Sequence, residues 1–119
     1  MKAGVDVNET TEEGRTALHG AAVAGHVPLI RHLLAAGSDL DIATTRRKLT
    51  ALHWACRMGH IEAVRALLAR GADPMLKNFG DMTASDLAHK AGHTDIVTLL
   101  ADFSQRDPKA VNEPDLIRG

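Results

Sequence analysis

The sequence predicts an all-α repeat solenoid, a stack of helix-turn-helix units joined by hairpin-like loops. Three observations predict it. Residues 14–26 read GRTALHGAAVAGH, residues 48–60 read KLTALHWACRMGH and residues 81–93 read DMTASDLAHKAGH. With the threonine as origin, Thr16, Thr50 and Thr83 lie 34 and then 33 residues apart. Each copy is followed by a second apolar segment, too apolar for one helix pair to bury alone. Self-similarity at this period marks units that complete their core only by stacking.

The elements follow in order. Before the first copy, KAGVDVN reads as the closing loop of a preceding repeat, because Gly4 lies 12 residues before Thr16 as Gly71 lies 12 before Thr83. The chain is therefore expected to open partway through a repeat, as a segment of a longer protein rather than a natural half repeat. Thr16, Thr50 and Thr83 stand at helix starts, where a hydroxyl accepts from an unpaired backbone N–H. The first helix of each unit is short, with Leu18 and Ala21, or Leu52 and Ala55, on one face. Gly25, Gly59 and Gly92 end it in a left-handed turn. The second helix carries Leu29, Ile30, Leu33 and Leu34, then Val64, Leu67 and Leu68, then Ile96, Val97, Leu99 and Leu100. Pro28 falls in a first turn, where it is tolerated, and Gly37 and Gly71 close their helices. The connection DLDIATTRRKL holds one residue more than its counterpart between Gly71 and Thr83. After Ser104 the pattern stops. Pro108 and Pro114 break helix, and Val111, Leu116 and Ile117 are the only large apolar side chains left to dock, so the tail is expected to be flexible or loosely packed.

These residues resemble the ankyrin repeat family, whose pattern is a turn, T-P/A-L-H-x-A, a Gly-His pair, a second helix ending in Leu-Leu and a Gly-Ala-Asp loop. The first repeat matches at Thr16, Leu18, His19, Ala21, Gly25, His26, Leu33, Leu34, Gly37 and Asp39. The second matches at Thr50, Leu52, His53, Ala55, Gly59, His60, Leu67, Leu68, Gly71, Ala72 and Asp73. The third keeps Thr83, Ala88, Gly92, His93, Ile96, Val97 and Leu100 but has Ser85, Asp86 and Ser104 where Leu, His and Gly are usual, as a terminal repeat would. The resemblance implies a closing loop at 1–11, repeats at 12–44, 45–77 and 78–104, and a tail at 105–119. It is specific for the fold and carries no shared chemistry.

Composition agrees with such a stack. The chain has 119 residues, no tyrosine, one tryptophan and two phenylalanines, so its core is aliphatic. The single cysteine, Cys56, excludes an internal disulfide and occupies the position of Ala22, as a small buried apolar residue. No apolar run is long enough to span a membrane and no signal peptide precedes the first repeat. An intracellular location, cytoplasmic or nuclear, is expected. The net charge is −1 but unevenly placed. Residues 44–70 hold Arg46, Arg47, Lys48, Arg57, Arg65 and Arg70 against Glu62 alone, a local +5, leaving −6 for the rest.

Seven histidines raise the question of a metal. The repeat accounts for five: His19 and His53 at one step, His26, His60 and His93 at another. In the family these make structural hydrogen bonds between adjacent turns. His89 and His93 have i, i+4 spacing, but Gly92 would end the helix between them, and no cysteine pair or H-E-x-x-H accompanies them. No phosphate-binding, dinucleotide or nucleophile-elbow motif is present, and Asp86 with His89 is a lone pair lacking a nucleophile. No enzyme, metal or cofactor is expected.

Recognition is the expected function. Carried over from the family, the ligand-facing tips are Thr10, Glu12, Glu13 and Arg15, then Thr44, Arg46, Arg47 and Leu49, then Lys77, Phe79, Gly80 and Met82. The helix positions are Gly20, Val23 and Ala24, then Trp54, Arg57 and Met58, then Leu87, Lys90 and Ala91. The site expected to carry binding comprises Arg46, Arg47, Leu49, Trp54, Arg57, Met58, Phe79, Met82 and Lys90, on the concave face and centred on the second repeat. Trp54, Arg57 and Met58 share one helix face, and Trp and Arg are enriched among binding hot spots. Two readings of Trp54 stay open: an exposed anchor, or a side chain packed between repeats. Gly20, its counterpart one repeat earlier, is either kept for clearance or faces space that Trp54 fills. An acidic or phosphorylated protein or peptide with a hydrophobic anchor fits these residues. Nucleic acid is disfavoured by the slightly acidic chain and the absence of stacking aromatics beside the basic tip. The alternatives are a spacer or targeting segment of a larger protein, enzymatic or not, and an anion or lipid site at Arg46, Arg47 and Lys48. The outer face of the first repeat, preceded only by a closing loop, is expected to be incompletely covered and to favour self-association.

Overall fold

The computed structural model describes residues 10–105; residues 1–9 of the expected closing loop and 106–119 of the expected tail lie outside the described residues. Six helices follow in chain order: α1 (Ala17–Ala24), α2 (Val27–Ala35), α3 (Ala51–Met58), α4 (Ile61–Ala69), α5 (Ala84–Lys90) and α6 (Thr94–Gln105). There is no strand among the described residues. The hairpin-like connections are turns.

Helix starts repeat one device. Thr16, Thr50 and Thr83 are N-caps, and each hydroxyl accepts from the backbone N–H three residues on. The residue at that third position reaches back to the threonine N–H. His19 Nδ1 accepts from Thr16 N at 2.8 Å, His53 Nδ1 from Thr50 N at 3.0 Å, and Asp86 Oδ2 from Thr83 N at 3.0 Å. This is the capping box, with histidine in place of the usual glutamate. Asp86 is therefore not a loss at that step, since its carboxylate performs the same bond.

Two layers result. The first helices form one, with α3 between α1 and α5; the second helices form the other, with α4 between α2 and α6. The core is aliphatic. Leu18, Ile30, Leu52, Val64, Leu67 and Ile96 are almost wholly buried, with alanines and Cys56 at the close approaches between helices. Burial pushes the Cys56 thiol up to about 12, so it stays protonated and unreactive.

The repeats are also stapled by histidine. The His60 Nε2–H donates to Val23 O at 2.9 Å and the His93 Nε2–H to Arg57 O at 3.1 Å, each to the end of the preceding first helix. Each imidazole lies against a glycine of the preceding repeat. A Cβ on Gly25 would stand 2.6 Å from the His60 ring, and one on Gly59 2.6 Å from the His93 ring. The Gly-His pair thus holds both the left-handed turn and the spacing between repeats.

Candidate functional site

Each tip is a tight turn opened by a polar side chain that satisfies the turn's own amides. Thr11 Oγ1 accepts from the N–H groups of Glu13 and Arg15, Thr44 Oγ1 from Leu49 N, and Asn78 Oδ1 from the N–H groups of Gly80 and Met82. In the first and third tips that bond spans four residues and in the second five. The extra residue of the long connection therefore sits in the Thr44–Leu49 turn, among Arg46, Arg47 and Lys48. Lys48 takes a left-handed φ of 57° to close it. Neighbouring tips are tied together by Thr45 N donating to Glu13 O at 2.8 Å and Phe79 N to Arg47 O at 2.9 Å.

Between the tips and the first helices lie two clefts, one on either side of the second repeat. The upstream cleft is lined by Glu12, Glu13, Arg15, Thr44, Thr45, Arg46, Arg47 and Trp54. The downstream cleft, about 450 Å³, is lined by Arg47, Leu49, Arg57, Asn78, Phe79, Gly80, Met82, Leu87, Lys90 and Ala91. Arg47 borders both. The upstream cleft mixes charges, whereas the downstream one carries three cations and no carboxylate on its lining.

Six of the nine expected site residues thus meet in the downstream cleft: Arg47, Leu49, Arg57, Phe79, Met82 and Lys90. They are not equivalent. Leu49 is 3% exposed and forms the floor with Leu87, so it supports the surface more than it offers one. Phe79 is 79% exposed at the tip. Arg46 and Trp54 belong to the upstream cleft, and Met58, though exposed, lines neither. Trp54 is half-buried against the core, with its indole N–H buried and without a hydrogen-bond partner. Two guanidinium groups lie over its ring, Arg15 at 5.2 Å and Arg57 at 5.8 Å, a cation–π arrangement. The sequence places Arg15 at a tip but gives it no link to Trp54, because the two are joined only by the stacking of repeats. A Cβ on Gly20 would meet nothing within 4 Å. Neither clearance within the fold nor filling by Trp54 explains that glycine.

The histidines of the first helices are structural. Because Nδ1 of His19 and of His53 accepts a backbone N–H, the ring proton sits on Nε2 and is donated onward. His19 reaches Ile42 O at 2.9 Å and His53 reaches Met82 O at 3.2 Å. Burial first, opposed by these carbonyls, lowers both pKa values from the ordinary histidine value. His89 lies on α5, whereas His93 lies beyond it on the Arg57 carbonyl, so the two do not share a helix face. No group of three His, Cys, Asp or Glu side chains among the described residues is placed to hold a metal.

The comparisons with known proteins bear on this architecture. A family model described as ankyrin repeats (3 copies) matches residues 1–78. The chain belongs to the ankyrin repeat family. α5 and α6 continue the ankyrin stack beyond the matched residues, with the same cap and the same histidine staple. Inversin of Danio rerio is 46% identical over 41 residues, a stretch that is 34% of this chain and 4% of Inversin. Ankyrin repeats generally mediate protein–protein interaction and are typically non-enzymatic. No helix among the described residues is long and apolar enough to cross a membrane.

Proposed function

We propose that this ankyrin stack recognises a partner protein through an acidic segment bearing a bulky hydrophobic residue, bound in the cleft between the second and third tips. The observation that carries this reading is the pairing of an exposed Phe79 with Arg47, Arg57 and Lys90 around an apolar floor. Among the described residues neither Arg47 nor Arg57 nor Lys90 is held in an ion pair. An aromatic at the rim supplies contact area, and cations around it speed association and set salt dependence. Trp54 acts behind this surface, orienting Arg57 through its ring, and the basic tip of Arg46, Arg47 and Lys48 widens the positive field. A phosphate on the partner would serve as well as a carboxylate there. As in most members of the family, the setting expected is intracellular.

The test is fluorescence anisotropy with labelled peptides in which Leu, Ile or Phe is flanked by Asp, Glu or phosphoserine. Binding is expected to weaken with salt. Phe79→Ala is expected to cost about 2 kcal/mol, and Lys90→Ala less, with a flatter salt response. Absence of binding by every such peptide would overturn the reading in favour of a spacer. Binding lost with Arg46→Ala but kept with Phe79→Ala would move the site to the basic tip.

A further inference from the structure

The chain carries within itself a segment of the chemistry this cleft selects. Residues 113–117 read Glu113-Pro114-Asp115-Leu116-Ile117, two carboxylates followed by two branched apolar side chains. We propose that this segment occupies the Phe79 cleft of its own chain, so that a partner binds by displacing it. The inference rests on the reading of the cleft given above.

Three observations support it. The first is complementarity: the cleft offers Arg47, Arg57 and Lys90 beside Phe79 and Met82, with no carboxylate on its lining. Elsewhere among the described residues, the Asp41 carboxylate is engaged within the fold, accepting from Asp73 N at 3.2 Å. The second is reach. From Gln105, where α6 ends, to Glu113 is eight residues, which span up to roughly 26–29 Å when extended. That compares with 30 and 22 Å for the two shorter dimensions of the molecule. Within the stack itself, the seven residues from Gly71 to Asn78 carry the chain from the end of α4 to the next tip. The third is backbone chemistry: a residue before proline is biased away from helix toward extended conformations, the form an open cleft accepts.

Tethering makes modest affinity sufficient. A short linker gives an effective concentration on the order of 1 mM. A contact with a Kd of about 100 µM would then be closed in roughly nine chains of ten.

The experiment uses the full chain. A nitroxide is attached at Gly119→Cys with Cys56→Ala, since Ala22 already stands at the equivalent position of the first repeat. Amide signals of Asn78, Phe79, Gly80 and Lys90 are expected to lose at least half their intensity, and those of Arg31–Ala35 none. Leu116→Ser with Ile117→Ser is expected to abolish the effect. The same double variant is expected to bind a fluorescein-labelled copy of residues 111–118 about tenfold more tightly than the unaltered chain. Equal binding by both would overturn self-occupancy while leaving the cleft reading intact, whereas no binding by either would overturn both. Signal loss seen only when labelled chains are mixed with separate isotope-enriched chains would assign the segment to a second copy and overturn the proposal.

Discussion

Replacing Gly59 by alanine separates two costs that the repeat otherwise combines. Gly59 has φ +80°, and a Cβ there would lie 2.6 Å from His93 Cε1 and 2.8 Å from Nε2. Gly92 has the same kind of conformation, φ +84°, with nothing within 4 Å of its Cβ position. Forcing an L-residue into the left-handed region costs roughly 1–2 kcal/mol, and Gly92→Ala is expected to cost that much. Gly59→Ala must in addition push away the His93 ring and break its bond to Arg57 O, a net hydrogen bond being worth about 0.5–1.5 kcal/mol. The expected total is about 1.5–3.5 kcal/mol. Gly25→Ala, facing the His60 ring at the same 2.6 Å, is expected to behave alike. Urea unfolding followed by helical circular dichroism and by Trp54 fluorescence measures these differences. In a His93→Ala background Gly59→Ala is expected to fall back to about 1–2 kcal/mol, a coupling read from the double-mutant cycle. Equal costs at Gly59 and Gly92, with no coupling to His93, would refute the claim that the glycine serves the imidazole.

The remaining expectations concern stability, pH and association. Ser38 Oγ is buried without a partner where the next repeat has the buried Ala72, so Ser38→Ala is expected to stabilise by about 1 kcal/mol in the same unfolding assay; a loss would contradict it. Gly20 lies inside α1 with open space at its Cβ position, and Gly20→Ala is expected to raise stability by about 0.5–1 kcal/mol. With the pKa values of His19 and His53 lowered by burial, the unfolded chain binds protons more readily. Their contribution should be complete above about pH 6.5 and lost progressively as pH falls below it, and a melting temperature unchanged from pH 7.5 to 5 would exclude it. Leu29 is 38% exposed, whereas its equivalents Ala63 and Ile96 are fully buried by the preceding repeat. Sedimentation equilibrium is expected to show self-association that Leu29→Glu weakens.

What the sequence alone determined is what the repeat period encodes. Thr16, Thr50 and Thr83 had to be helix caps, and Gly25, Gly59 and Gly92 had to be left-handed turns. Both follow from local backbone chemistry, and the structure shows all six in those roles. The aliphatic core was legible for the same reason, since spacing within a helix places Leu52 and Ala55 on one face before any partner is known. Capping by His19 was also present in the Thr-x-x-His spacing, hidden only because histidine stands where glutamate is usual. The site was less legible. Leu49 and Phe79 are both large apolar residues at tips, and nothing in the chain order says that one is 3% and the other 79% exposed. Trp54 could not be assigned until the stack brought Arg15, 39 residues earlier, over its ring. Likewise Arg47 joins Lys90 in one cleft only because α3 packs on α5. Local periodicity decides which residues become helix, turn and core. The packing between repeats decides which side chains share a surface, and it brings an imidazole against a glycine of the repeat before it.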